Sequence, residues 1–178
     1  STQIAKRLDG GKLITIDQDP DAIKVLHDRL AEFKCVEIVQ SNFSQIDEAV
    51  QMPCDGVLFD LGVSSYQLDT ADRGFSYKQD APLDMRMSKS GLSAYDVVNT
   101  YDEREIARIL FEYGEEKFAR QIARNIINKR QTAPIKTTLE LAEIIASSLP
   151  AAARRAKNPS KKSFQAIRIE VNKELDSL

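Results

Sequence analysis

Between Lys12 and Leu61 short β-branched runs alternate with helical stretches so closely that few architectures remain. Lys12 to Ile16 reads as a strand that ends at Asp17. Asp19-Pro20-Asp21 then supplies an N-cap, a proline at the first helical position and an acid in the first turn, which together start a helix running to about Phe33. Ile23, Leu26 and Leu30 recur on it at helical spacing. Cys35 to Val39 makes a second strand, Ser41 to Val50 a loop with a short helix, and Gly56 to Leu61 a third strand whose Val57, Leu58 and Phe59 ask for burial. Strands are thus expected near residues 12–17, 35–40 and 56–61, the pattern of a parallel, doubly wound α/β sheet. Upstream, Thr2 to Leu8 reads as the last turns of a helix stopped by Asp9-Gly10-Gly11.

Such sheets bind ligands outside the carboxyl ends of their strands, and both Asp17 and Asp60 fall there. A carboxylate can accept two hydroxyl protons at once, and an adenosine diol offers two. A pair of acids at strand ends suits a nucleoside-containing ligand better than either alone; for Asp17 by itself a structural cap on the next helix explains much of the signal, and Asp19 is the better cap. No G-x-G-x-x-G and no G-x-x-x-x-G-K-[ST] occurs, so the glycine-rich turn of a nucleotide-binding fold is expected before Ser1 and the chain reads as trimmed at both ends.

Past Asp60 a long polar loop reaches Met87 with Gly62, Ser64, Ser65, Gln67, Asp72, Arg73, Asp84 and Arg86 along it. Loops of that length are usually either functional or disordered. Tyr66, Phe75, Tyr77, Leu83 and Met85 argue for an ordered one. Beyond it Ser93, Asp102 and Thr137 each stand three residues before an acid, the spacing of a capping box. Helices are expected at about 93–100, 102–113, 115–131, 137–149 and 163–177. The domain plan is then a cofactor-binding part over 1–92, an inserted helical part over 93–162 and a helix over 163–178 that returns to the first.

The formal charge of −2 conceals an asymmetry, because residues 117–168 hold twelve Lys or Arg against two Asp or Glu. A basic block inside an acidic chain is the electrostatic footprint of a polyanion partner. The run 154–162 cannot bury itself, and Arg154, Arg155, Lys157, Lys161 and Lys162 are its candidate contacts to such a polyanion. One histidine, His27, leaves little material for a metal site, and no metal is expected. Cys35 and Cys54 read as buried thiols of a reducing compartment, with the cytoplasm as the default. No apolar run approaches the ~18 residues of a membrane span.

GKLITIDQDPDAI, DGVLFDLGVSSYQLDTADRGFSYKQDAPLDMRMS, AYDVVNTYDEREIARILFEYGEEKFARQIARNII and KKSFQAIRIEVNKEL together resemble the bacterial ribosomal RNA small-subunit methyltransferase H family, also called MraW. The resemblance covers nearly the whole chain. It implies a Rossmann-like, S-adenosylmethionine (SAM)-dependent methyltransferase domain carrying an inserted helical domain, acting on the exocyclic N4 of a cytidine in 16S rRNA near the decoding centre. By the same resemblance Asp17 matches the acid on the cofactor ribose, Phe43 the residue beside the adenine, and Asp60 and Gln67 two further cofactor contacts. The family's Gly-Gly-His cofactor loop is expected just before Ser1. Its H-P-A-K-R segment is Asn158-Pro159-Ser160-Lys161-Lys162 here, which keeps the charge and loses a ring.

For the chemistry, acceptors on the amine protons must draw the cytosine N4 toward a nucleophilic geometry in line with the methyl group. Asp60, Ser64 and Ser65 are the candidates, with Asp84 behind them. Tyr66, Phe75 or Tyr77 could face a base drawn from its stack. A homodimer is left open. Two other classes fit less of the sequence. A NAD-dependent oxidoreductase has no use for the basic block, and a non-catalytic RNA-binding or ribosome-assembly factor has none for the acid-rich loop.

Overall fold

The computed structural model describes residues 1–155 and 158–177. It is a mixed α/β chain with two parallel strands, β1 (Leu13–Asp17) and β2 (Val36–Gln40), in register from Leu13 opposite Val36 to Asp17 opposite Gln40. A parallel pair needs a crossover, and α2 (Pro20–Leu30) provides it. As expected, the Asp19 side chain caps α2 by accepting from the Asp21 amide, and Pro20 occupies the first turn. The helix stops at Leu30, short of Phe33. The opening helix α1 (Thr2–Ala5) is likewise shorter than expected, and α3 (Ile46–Ala49) follows a tight turn at Phe43–Gln45.

The third strand is not formed. Residues 56–61 make no ladder among the described residues, and Val57, Leu58, Phe59 and Leu61 are 50–77% exposed. β1 and β2 pair only with each other, and a run of apolar residues becomes a strand only when a neighbour supplies backbone partners. The same exposed stretch overturns the expectation for the thiols, because Cys54 is exposed and Cys35 half-buried, both free.

The long loop is ordered. It contains α4 (Ser65–Asp69) and a turn at Ala71–Arg73, and it buries Phe75, Leu83 and Met85 while Tyr66 stays exposed. Its backbone is stitched to the helices that follow. Tyr95 N donates to Leu83 O, Thr138 N to Ala81 O and Leu83 N to Lys136 O. Gly74 makes the turn possible: its φ is +69°, and a Cβ there would lie 2.4 Å from Pro82 O.

The remaining helices are α5 (Ala94–Thr100), α6 (Glu103–Glu112), α7 (Ala119–Thr132), α8 (Thr138–Ser148), α9 (Ala151–Arg154) and α10 (Lys161–Asn172). All three expected capping boxes form, at Ser93 with Asp96, Asp102 with Glu105 and Thr137 with Glu140. α6 packs on α7 and α10, and α7 on α8. Ile109, Leu110, Ile122, Ile126, Leu141 and Ile145 on these helices are fully buried, as is Val97 on α5, which packs on α7 and α10. Gly114 lets α6 and α10 approach, since a Cβ would meet Lys162 O at 2.6 Å.

Two compact units result among the described residues, one of residues 1–60, 87–89 and 176–177, the other of residues 61–86, 90–155 and 158–175. The loop after Leu61 and helix α10 pack with the helices of the second unit. Among the described residues no helix is long and apolar enough to cross a membrane.

Candidate functional site

In the first unit, Asp17 ends β1 half-buried, and its Oδ1 accepts from the Asp19 amide at 2.8 Å. Burial raises its pKa above 3.8, the Asp19 charge adds to this, and the amides of Asp19 and Gln18 oppose it. The neighbouring strand end is locked beside it: Ser41 N donates to Asp17 O, and Asn42 Nδ2 to Gln18 Oε1 at 3.0 Å, while Gln18 Nε2 reaches Met87 Sδ at 3.4 Å. Asn42 also caps the turn that carries Phe43, accepting from Ser44 N at 2.9 Å. The Phe43 ring meets Phe59 edge-on, with centroids 6.1 Å apart. Asp60, next along, is exposed. The unit therefore brings an acid and an aromatic to adjacent strand ends. An acceptor and a ring fit a nucleoside, whose hydroxyls would donate to the carboxylate and whose base would lie against the ring.

In the second unit, Ser64 is the N-cap of α4. Its Oγ accepts from Gln67 N at 3.2 Å, while the buried Gln67 returns Oε1 to Ser64 N at 2.9 Å. The amide oxygen of Gln67 is thus committed to holding the helix start. Ser65 is exposed at the first position of α4. Asp84 forms a two-pronged pair with Arg86, at 2.6 Å to Nη2 and 3.1 Å to Nε, and accepts from the Arg86 amide. Partial burial alone would raise its pKa, but those hydrogen bonds and the charges of Arg86 and Arg73 hold it below 3.8. An acid so neutralised braces the loop. Of the three rings considered for facing a base, Phe75 is buried with Arg73 over its face at 5.8 Å, and Tyr77 meets Phe164 edge-on at 5.4 Å. Only Tyr66 presents its ring to solvent.

The basic candidates separate into used and unused. Arg154 donates to Ala146 O, Ser147 O and Leu149 O at 2.9–3.2 Å, closing the C-terminal end of α8. Lys162 Nζ donates to Glu115 O at 3.1 Å. Arg155 and Lys161 are exposed, with no side-chain partner among the described residues. Lys157 lies outside the described residues. The sequence reading passed over Arg104, Phe111 and Lys117, which with Arg120 and Arg124 line an open groove of about 950 Å³. The signal was present, because Phe111 follows Leu110 directly and one helical step of ~100° turns it off the buried stripe of Ile106, Ile109 and Leu110.

The chain is 55% identical over 184 residues to the ribosomal RNA small subunit methyltransferase H of Clostridium botulinum (strain Kyoto / Type A2), with all of this chain aligned. The proteins of the same name from Brevibacillus brevis and Paenibacillus sp. are 55% and 54% identical over 99% and 98% of it. The chain spans about 60% of the length of these relatives. Neither they nor the described residues support a homodimer. The family model described as MraW methylase matches residues 1–178, and the chain accordingly belongs to the MraW methylase family.

Proposed function

We propose that this chain is part of a Rossmann-like enzyme that transfers a methyl group from SAM to the N4 of a cytidine in 16S rRNA of the small ribosomal subunit, near the decoding centre, in the cytoplasm. The observation that carries this reading is the 55% identity, sustained over the whole chain, to a relative named ribosomal RNA small subunit methyltransferase H. In this reading the strand-bearing unit belongs to the cofactor domain, and the helical unit belongs to an inserted RNA-contacting domain.

SAM supplies a methyl group already activated on a sulfonium, so the protein's share is binding and alignment. Asp17 accepts the ribose hydroxyls, and Phe43 lies against the adenine. Asp60 and Gln67 complete the cofactor side, Gln67 through the α4 start that it holds. Asp60, Ser64 and Ser65 present acceptors to the N4 protons, turning the amine's lone pair toward the methyl. Asp84 acts one step back, fixing Arg86 and the loop. Arg155 and Lys161 remain the free phosphate contacts of the 154–162 run, joined by Lys157.

The test is transfer of tritiated methyl to small ribosomal subunits by the full-length protein, with the 16S rRNA then digested to nucleosides. Label in N4-methylcytidine is expected, and no label in cytidine derivatives would overturn the assignment. For the cofactor site, Asp17→Ala is expected to weaken SAM binding at least ~10-fold in calorimetry, the loss of a charge-assisted pair of hydrogen bonds. Unchanged affinity would remove Asp17 from the ribose.

A further inference from the structure

We propose that the groove between α6 and the start of α7 is a docking site for single-stranded RNA, with an unpaired base stacked on Phe111 and the flanking phosphates held by Arg104, Lys117 and Arg120. It rests on the reading of the protein as an rRNA-modifying enzyme and adds to it where the RNA is held. Phe111 is 66% exposed, although its neighbour Leu110 is fully buried. The groove around that ring is lined by Arg104, Arg108, Lys117, Arg120 and Arg124, with Glu103 its only acid. Arg108 is already engaged, by Glu112 at 2.9 Å and Glu170 at 3.8 Å, and Arg124 lies 3.8 Å from Glu103. Arg104, Lys117 and Arg120 are exposed and have no ion pair or side-chain hydrogen bond among the described residues.

Charge complementarity decides the occupant. The core of a protein interface is depleted in charged groups, whereas this groove sets one ring among five cations, of which Arg104, Lys117 and Arg120 have no ion pair among the described residues. An exposed ring flanked by guanidinium and ammonium groups is the arrangement that single-stranded nucleic acid requires, since every base has a face to stack and every link has a phosphate. In the 154–162 run Arg154 and Lys162 spend their donors on backbone carbonyls, which leaves Arg155 and Lys161 there, whereas the groove keeps Arg104, Lys117 and Arg120 around a single exposed ring.

The experiment titrates a fluorescein-labelled oligouridylate with the full-length protein over a range of salt and follows anisotropy. Reversing Arg104 and Arg120 together to Glu is expected to lower affinity at least ~10-fold and to flatten the log affinity against log salt slope by ~1.4, at ~0.7 per lost contact on a single strand. Phe111→Ala should cost ~5-fold to ~100-fold with the slope unchanged, and Phe111→Trp should restore binding. Lys24→Glu, an exposed reversal on α2, should stay within about twofold. SAM affinity should be intact in every variant. RNA affinity unchanged by both groove variants overturns the proposal, and so does a changed sedimentation coefficient with RNA binding intact, which would make the groove a protein interface. A wild-type protein that binds the oligonucleotide in this groove yet transfers no methyl to subunits would sink the enzymatic reading and leave the groove standing.

Discussion

The two units differ in size and in how far each closes its core. In the helical unit Val97, Ile109, Leu110, Ile122, Leu141 and Ile145 are fully buried, whereas in the strand-bearing unit the buried apolar residues are Ala5, Leu30 and Met87, and Leu58 is 77% exposed. The difference follows from how the two kinds of structure are satisfied. A helix closes its backbone hydrogen bonds within its own sequence and needs only one apolar face covered. A strand in a parallel sheet depends on neighbours at both edges and helices on both faces.

The sharpest way to break this comparison is to cut a leucine out of each unit. Leu110→Ala removes a fully buried side chain from the α6 contact and is expected to cost about 2–5 kcal/mol in urea unfolding followed by circular dichroism. Leu58→Ala should stay within about 0.5 kcal/mol in the same chain. A cost for Leu58 approaching that of Leu110 would mean the 56–61 run has a partner, and the contrast would vanish. Next in size is Gly74→Ala. Its φ of +69° and the 2.4 Å and 2.7 Å approaches of a new Cβ to Pro82 O and Asp84 N should cost about 1–3 kcal/mol. Retained stability would show that the loop is not fastened to the helices as its hydrogen bonds indicate.

The same contrast governs what could be read from sequence. The starts of α2, α5, α6 and α8 were legible because a cap and its acid lie within three residues of one another. The 56–61 strand was misread because its apolar pattern reports a demand for burial without reporting who meets it. At the site, the position of Asp17 at a strand end could be read from the alternation of elements, whereas Phe43 was singled out only by the family resemblance. That Gln67 and Asp84 spend their side chains on a helix start and on Arg86 is a matter of rotamers, which spacing does not encode. The groove at Phe111 was missed for a different reason: the charge of residues 117–168 directed attention to the 154–162 run, its longest basic stretch, and away from Lys117 and Arg120 at the start of the same block.

The smallest expected effect sets one acid of each unit against the other. Asp84 has a pKa held below 3.8, since Arg86 and Arg73 outweigh the burial that would raise it. Its unfolded form therefore binds the proton first, and its contribution to stability is complete above 3.8 and lost as pH falls through the folded value. Asp17 has the opposite sign, because burial raises its pKa above 3.8 despite the amides that oppose it. Its contribution is complete below 3.8 and is lost as pH rises through the folded value. Unfolding curves of Asp84→Asn and Asp17→Asn between about pH 3 and 7 separate the two once each is subtracted from the wild type, which cancels the other carboxylates. The advantage of wild type over Asp84→Asn should grow with pH, and that over Asp17→Asn should shrink. If the Asp17 difference grows instead, its carboxylate is better solvated or better paired than the strand-bearing unit shows. Parallel trends at both positions would mean that the two units treat a strand-end acid and a loop acid alike, and the distinction between them would then rest on apolar burial alone.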